Sequence, residues 1–187
     1  MLRSVLRNRL LVIIGTSLPL VLAAPAVAEP PDAKNFVTHL TGANERPDPR
    51  ETKATGQAIF HLSKDGTELS YKLIVANINN VVAAHIHVGS ADVAGPVVAF
   101  LFGFPPVAPG GGRSNGVLAQ GTITSADLIG PLAGMDLDDL IDEIHAFNTY
   151  VNVHTNDGVA PINTGPGDFP GGEIRGQIRV AGQRALP

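Results

Sequence analysis

Hydrophobic and polar residues alternate along most of the chain from residue 36 onward. This period of two is typical of strands with one buried face, and most gaps between the alternating segments contain Gly, Pro, Asn or Asp, which favour turns. The predicted strands are 36–41, 54–62, 68–76, 82–88, 97–102, 117–123, 150–155 and 173–180. Eight strands without βαβ alternation predict an all-β fold, an immunoglobulin-like or Greek-key β-sandwich or a barrel.

One hairpin is predicted with its turn. Asp65-Gly66 lies between the second and third strands, and Asp-Gly readily adopts the positive φ angles that a tight hairpin turn requires. We therefore expect strands 54–62 and 68–76 to pair antiparallel.

Residues 136–147 break the alternation. Apolar side chains recur there at helical spacing, and acidic side chains occupy the opposite face. Asp136 stands where a helix N-cap residue is expected. This predicts a short amphipathic helix whose acidic run is a solvated face, and 125–129 is expected to form a further helical turn.

A glycine-rich segment follows the fifth strand. Residues 110–116 lack the residue order of a phosphate-binding loop. Together with residues 102–106 they are predicted to form a surface loop, with Phe104 as a contact residue.

The first 28 residues have the pattern of a secretory signal peptide. Arg3, Arg7 and Arg9 precede an apolar stretch of about 15 residues, shorter than the roughly 20 that span a membrane. Ala-Val-Ala at 26–28 is typical of a cleavage site, so we expect cleavage after Ala28, a periplasmic or extracellular location and no stable membrane span afterwards. The predicted organisation is a signal peptide at 1–28, a linker at 29–34, one domain at 35–181 and a tail at 182–187.

Composition narrows the chemistry. The 187 residues include no Cys, which excludes disulfides, cysteine-ligated zinc, iron–sulfur clusters and a thiolate nucleophile. The net charge is −4 and no basic cluster occurs beyond residue 9, which argues against nucleic-acid binding. Any metal site must therefore use histidine, carboxylate or carbonyl ligands.

Three histidines could form such a site. Alternation places His85 and His87 on one face of strand 82–88, and places Tyr150, Asn152 and His154 together on one face of strand 150–155. If the two strands are neighbours, the three imidazoles approach one another. Three neutral histidines with an open position suit Cu²⁺ or Zn²⁺, whereas solvent exposure or hydrogen bonds to loop carbonyls would leave them with no metal.

The last strand carries a further candidate. Arg175 shares the outer face with Glu173, Gln177 and Arg179, where an exposed salt bridge is favoured over a role in orienting a ligand. Gly176 falls on the core face, which predicts a bulge or a close approach of another segment.

The other histidines are assigned structural roles. His145 ends the acidic helix, where the helix dipole favours its cation. His39 and His61 lie on separate strands and are expected to be surface or packing residues.

Seven short motifs follow one another along the predicted domain. They are Leu-Thr-Gly-Ala-Asn-Glu-Arg-Pro at 40–47, Gly-Gln-Ala at 56–58, Leu-Ser-Tyr at 69–71, Ala-His-Ile-His at 84–87, Gly-Pro-Val-Val at 95–98, Tyr-Val-Asn-Val-His-Thr at 150–155 and Gly-Glu-Ile-Arg-Gly-Gln-Ile at 172–178. At these motifs the sequence resembles the CHRD domain, a module named for its repeats in chordin and widespread in exported bacterial proteins. The resemblance spans about residues 35–181 and implies an exported immunoglobulin-like β-sandwich or barrel, but no reaction.

One departure from the family pattern lies beside the histidines. Residues 156–170 form a longer connection than the short Pro/Gly link common in the family, and the connection is expected to cover or complete the histidine face. Asp157 and Asp168 are its candidate acidic ligands, although Asn-Asp-Gly at 156–158 also favours a turn.

Two functional hypotheses follow. The first is a non-catalytic binding or structural module with an extracellular or periplasmic protein partner, because the chain shows no nucleophile–base or paired-carboxylate motif. The alternative is a copper- or zinc-binding protein, for metal handling or as a mononuclear metalloenzyme, that uses His85, His87 and His154.

Overall fold

A computed structural model describes residues 33–103 and 110–183. Within these ranges the chain forms nine strands, one α-helix and three 3₁₀ turns. The strands are β1 (Asn35–Thr41), β2 (Thr55–Leu62), β3 (Leu69–Asn79), β4 (Val81–Val88), β5 (Val97–Phe102), β6 (Arg113–Ile123), β7 (Thr149–Thr155), β8 (Ile174–Gln177) and β9 (Arg179–Val180). The all-β prediction is confirmed. The predicted signal peptide, most of the predicted linker and Phe104 lie outside the described residues.

All nine strands join one antiparallel sheet. Its order is β5-β4-β7-β8-β1-β2-β3-β6, and β9 pairs with β1 beyond the end of β8. The two ends of the sheet approach each other, and the Tyr71 hydroxyl on β3 donates a hydrogen bond of 2.8 Å to the Leu101 carbonyl on β5. The sheet is therefore nearly closed and barrel-like.

The predicted hairpin and helix are both present. Leu62 pairs with Leu69 across the Asp65-Gly66 turn, so β2 and β3 are antiparallel as expected. Helix α1 (Leu137–His145) begins after Asp136, whose backbone N–H donates to Asp139 Oδ2 at 2.9 Å. The apolar side of α1 joins the barrel core, where its buried side chains are Leu137, Leu140, Ile141 and Ile144. The predicted turn at 125–129 is a 3₁₀ turn over Ser125–Asp127.

The prediction of a surface loop over residues 110–116 is wrong in part, because strand β6 includes the last four of these residues. It begins at Arg113, which pairs with Asn79 of β3, so residues 113–116 are strand. Most side chains at this end of β6 are exposed on both faces of the sheet. The segment therefore lacks the apolar alternation by which a half-buried strand is recognised.

The predicted last strand is interrupted at residue 178, between β8 and β9, and one of its glycines lies very close to β1. Arg175 of β8 pairs with Thr41 and Arg179 of β9 pairs with Val37, so the register with β1 is the same on both sides of the interruption. Between them, a Cβ on Gly176 would collide with the His39 carbonyl oxygen. This confirms the close approach predicted for Gly176.

The described residues contain no helix that is both long and apolar enough to cross a membrane.

The hydrophobic core lies inside the curled sheet. The largest buried apolar side chains of the described residues are Phe36, Phe60, Leu40, Leu69, Leu73, Ile78, Ile86, Ile123, Leu140 and Ile144.

The Gly176 contact generates a stability prediction. Replacing Gly176 with Ala should lower the free energy of unfolding by about 2 kcal/mol or more, because the added methyl group meets backbone that cannot rotate away. Urea denaturation measures the change. Gly111→Ala is the matched control, since a Cβ there meets nothing within 4 Å, and it should alter stability by less than about 0.5 kcal/mol. Equal effects of the two substitutions would contradict this account.

Candidate metal centre

The register of β4 against β7 brings the three candidate histidines together. His85 pairs with Asn152 and Ala83 pairs with His154, which confirms that the two strands are neighbours. Ala84 and Ile86 point into the core, so the histidines between and beyond them share the opposite face. One ring nitrogen from each of His85, His87 and His154 lies within 4.8 Å of the others.

Two backbone carbonyls set the orientation of two of these rings. His87 Nδ1 lies 2.9 Å from the Gly95 carbonyl oxygen, and His154 Nδ1 lies 2.9 Å from the Pro170 carbonyl oxygen. Because a carbonyl oxygen only accepts, both Nδ1 atoms carry the hydrogen and both Nε2 atoms keep a lone pair. Carbonyls that fix the tautomer in this way commonly support metal-ligating histidines.

The Nε2 atoms of His87 and His154 differ in their surroundings. His154 Nε2 lies 3.2 Å from His85 Nδ1, which donates its hydrogen to that lone pair. His87 Nε2 is buried and has no hydrogen-bond partner within the described part of the chain. Buried polar atoms are nearly always paired, so this lone pair is open to a ligand or a water molecule.

The spacing is close to what a tetrahedral ion requires. Metal–nitrogen bonds of about 2.0–2.1 Å place two ligand nitrogens about 3.3 Å apart. The His85–His154 separation of 3.2 Å already meets this value. The candidate ligand nitrogens of all three rings lie within 4.8 Å of one another, which is at most about 1.5 Å more than this value. On metal binding the His85 hydrogen would move to its Nε2, which frees Nδ1 as a ligand.

The electrostatics keep the three rings neutral. Burial, together with the neighbouring histidines, lowers the pKa of His85 to about 3. Burial also lowers the pKa of His87 to about 4, although the Gly95 hydrogen bond opposes this shift, and it lowers the pKa of His154. Neutral imidazole is the form that binds metal ions. The three rings are therefore uncharged at neutral pH, and the lone pair of His87 Nε2 has no partner among the described residues.

Tyr150 supports the centre in a way that the sequence analysis did not identify. Its ring stacks on His87 with centroids 4.8 Å apart and planes inclined by 12°. Its hydroxyl oxygen accepts a hydrogen bond of 2.9 Å from the Gly95 backbone N–H. Since the Gly95 carbonyl orients His87, Tyr150 positions both the ring and the loop that holds it. Alternation had placed Tyr150 on this face, but its role depends on the fold of the connection between β4 and β5.

The prediction that Arg175 forms an exposed salt bridge is wrong. This side chain is only 2% exposed, and its guanidinium carbon lies 3.4 Å from the centre of the Tyr150 ring. Its Nη2 donates to the Ser90 carbonyl oxygen at 2.8 Å and to Gln177 Oε1 at 3.2 Å. The connection between β4 and β5 covers this end of the strand, so the side of β8 read as solvent-facing is buried.

Asn152 lies beside the histidines but serves another contact. Its Nδ2 donates to Glu45 Oε2 at 3.3 Å, and both side chains are buried. Burial raises the pKa of Glu45 to about 7, although Arg175, Asn152 and Arg50 act in the opposite direction. Sequence reasoning missed Glu45 because it lies in the connection between β1 and β2 and reaches β7 only through the fold.

The two acidic candidates of the long connection are used in its own turns. Asp157 Oδ1 accepts a hydrogen bond of 2.8 Å from the Val159 N–H, as expected for a turn. Asp168 Oδ2 accepts bonds of 2.9 Å from the Thr164 N–H and hydroxyl. Neither carboxylate belongs to the histidine group. The connection contacts the centre through the Pro170 carbonyl instead.

The remaining histidines lie away from the centre. His145 is the last residue of α1 and contacts the Phe36 ring edge to face at 5.5 Å. His61 Nδ1 lies 2.9 Å from Asn35 Oδ1 at an exposed position, and His39 is exposed on β1.

The burial of Glu45 generates a prediction about pH. A carboxyl group whose pKa rises from 4.5 unfolded to about 7 folded stabilises the protein below pH 4.5, and this contribution is lost as the pH rises to 7. Glu45→Gln should therefore gain stability relative to the parent protein by up to about 3 kcal/mol between pH 4.5 and pH 8. Urea unfolding across this range measures the gain. Glu51→Gln, at an exposed carboxylate, should show no such gain. A pH-independent difference between Glu45→Gln and the parent would contradict the assignment.

Comparison with known proteins agrees with the fold and its motifs. The family model of the CHRD domain matches residues 36–178, which is most of the chain. The matched range runs from the second residue of β1 to the residue after β8, so it includes all three histidines of the candidate centre. A search of curated proteins gave no match. The chain belongs to the CHRD domain family.

Proposed function

We propose that this protein is an exported metal-binding protein that holds one copper or zinc ion with His85, His87 and His154. The observation that carries the proposal is the buried Nε2 of His87, which has no hydrogen-bond partner among the described residues although the Gly95 carbonyl fixes its lone pair. His154 is oriented in the same way by the Pro170 carbonyl. Two neutral imidazoles whose Nδ1 atoms are held by carbonyl oxygens, next to a third histidine, are expected for a metal centre.

The donor set favours particular ions. Three imidazole nitrogens suit Zn²⁺ and Cu²⁺, whereas Ca²⁺ and Mg²⁺ prefer oxygen ligands. Three protein ligands leave a fourth position for water or another ligand. This position is compatible both with metal handling and with a mononuclear metalloenzyme.

Metal binding explains features that a purely protein-binding role does not require. A structural module needs no group of three neutral histidines gathered on one partly covered face, with the buried Nε2 of one of them lacking a partner among the described residues. The family resemblance by itself implies neither a reaction nor a partner. We therefore place the metal-binding role ahead of the protein-binding role.

Export is the second part of the proposal. It is supported by the basic residues Arg3, Arg7 and Arg9, the apolar stretch after them and Ala-Val-Ala at 26–28. N-terminal sequencing of the protein recovered from its host should give a chain that begins at Glu29. A protein that begins at Met1 would contradict export by cleavage.

Metal titration tests the centre. The chain without a polyhistidine tag should bind one equivalent of Cu²⁺ or Zn²⁺ by isothermal titration calorimetry at neutral pH. His87→Ala should weaken binding by more than the roughly 100-fold typical of losing an outer-shell partner, because a direct ligand is removed. The electron paramagnetic resonance spectrum of the Cu²⁺ form should show nitrogen ligands.

His61→Ala is the control for the titration, since His61 is exposed and bonded to Asn35 far from the centre. It should bind the metal as the parent does. Equal affinity of the parent and His87→Ala, or no binding by the parent, would refute the proposed metal site.

A further inference from the structure

A cavity lies next to the candidate metal centre, and none of the three histidines of that centre lines it. It has a volume of about 630 Å³ and is formed by β1, β8, the connection between β4 and β5 and the end of α1. Three arginines line the cavity, Arg46, Arg175 and Arg179. Among the described residues that line it, Asp92 is the one acidic residue. The cavity is thus basic, although the protein carries a net charge of −4.

Arg175 is the most unusual of these cations. It is 2% exposed, and no carboxylate of the described residues lies within 4.0 Å of its guanidinium group. The hydrogen bonds of Nη2 use only part of the five N–H groups that an arginine carries. Burial lowers the pKa of Arg175, although Tyr150, Glu45 and Asp92 oppose this shift. A buried cation that no carboxylate contacts directly is costly, so an external anion would be favoured there.

The other two arginines can turn toward a ligand. Arg46 Nε lies 3.6 Å from Asp92 Oδ1, but the Asp92 side chain is 90% exposed, so this ion pair is weak and easily exchanged. Arg46 Nη1 donates to the Ala43 and Glu45 carbonyl oxygens, neither of which carries a full charge. Arg179 donates through Nη1 to the Gln183 carbonyl oxygen, which carries no full charge. Both keep donors for an anion.

We propose that this cavity binds a small molecule that carries a carboxylate group. A planar guanidinium fork matches a carboxylate in a bidentate arrangement, and Arg175 and Arg179 offer two such forks. Ala91, Ala146 and Phe147 line the same cavity and suit an apolar portion of the ligand. A volume of about 630 Å³ lies within the range of small-molecule sites. This site does not depend on metal binding at the histidines.

Benzoate is a suitable probe because it joins one carboxylate to an apolar ring. We expect saturable benzoate binding in ¹H–¹⁵N correlation spectra of the chain, with a dissociation constant below about 10 mM and with shifts concentrated at the backbone amides of Ser90, Ala91 and Phe147. Benzamide, which has the same shape without the charge, should bind at least tenfold more weakly. Sulfate should compete only weakly, since its tetrahedral shape lacks the planar fork and the ring.

Variants localise the site. Arg179→Gln, at a partly exposed position, should weaken benzoate binding at least tenfold without unfolding the chain. Arg113→Gln is the matched control because Arg113 lies on β6, outside this cavity, and it should bind benzoate as the parent does. Non-saturable binding, equal binding of benzamide, sulfate binding as tight as that of benzoate, or an unchanged affinity of Arg179→Gln would each overturn the proposal.

Discussion

The antiparallel register of β4 against β7 determines where every candidate ligand lies. His85 stands opposite Asn152, and Ala83 stands opposite His154. A slip of one residue would turn one strand's set of side chains to the other face and would place His85 and His87 in the barrel core. The apolar side chains that alternate with the histidines on β4, Ala84 and Ile86, are fully buried and oppose that slip. The free energy of core packing thereby fixes the position of the polar face.

Burial of this polar face then gives the histidines their chemistry. Because β7 lies between β4 and β8, Tyr150 has His87 on the neighbouring strand to one side and Arg175 on the strand to the other. The connection between β4 and β5 closes over these three side chains and supplies the Gly95 carbonyl that orients His87. Loss of water lowers the pKa values of the histidines and leaves Arg175 as a cation with an incomplete set of partners. One covered face therefore holds both neutral imidazoles and a buried cation that no carboxylate of the described residues contacts directly.

The features that the sequence analysis predicted correctly depend on local periodicity. Alternation placed His85, His87 and His154 on the right faces, and helical spacing located α1 to within two residues at each end. The errors have non-local causes. Arg175 alternates as an exposed residue would, but a loop about 85 positions earlier in the chain covers it. Glu45 becomes a buried partner of Asn152 across 107 positions, a contact that no local pattern encodes. Residues 113–116 form a strand with both faces exposed, so their pattern carries no sign of it.

The central claim is that the three histidines hold a metal ion in the protein as its host makes it. Elemental analysis of the untagged protein, purified from its native compartment without chelator, tests this claim most directly. We expect close to one copper or zinc ion per chain. We expect this metal to be lost from the His154→Gln variant when it is purified in the same way. Protein that is folded and free of both metals as isolated would contradict it.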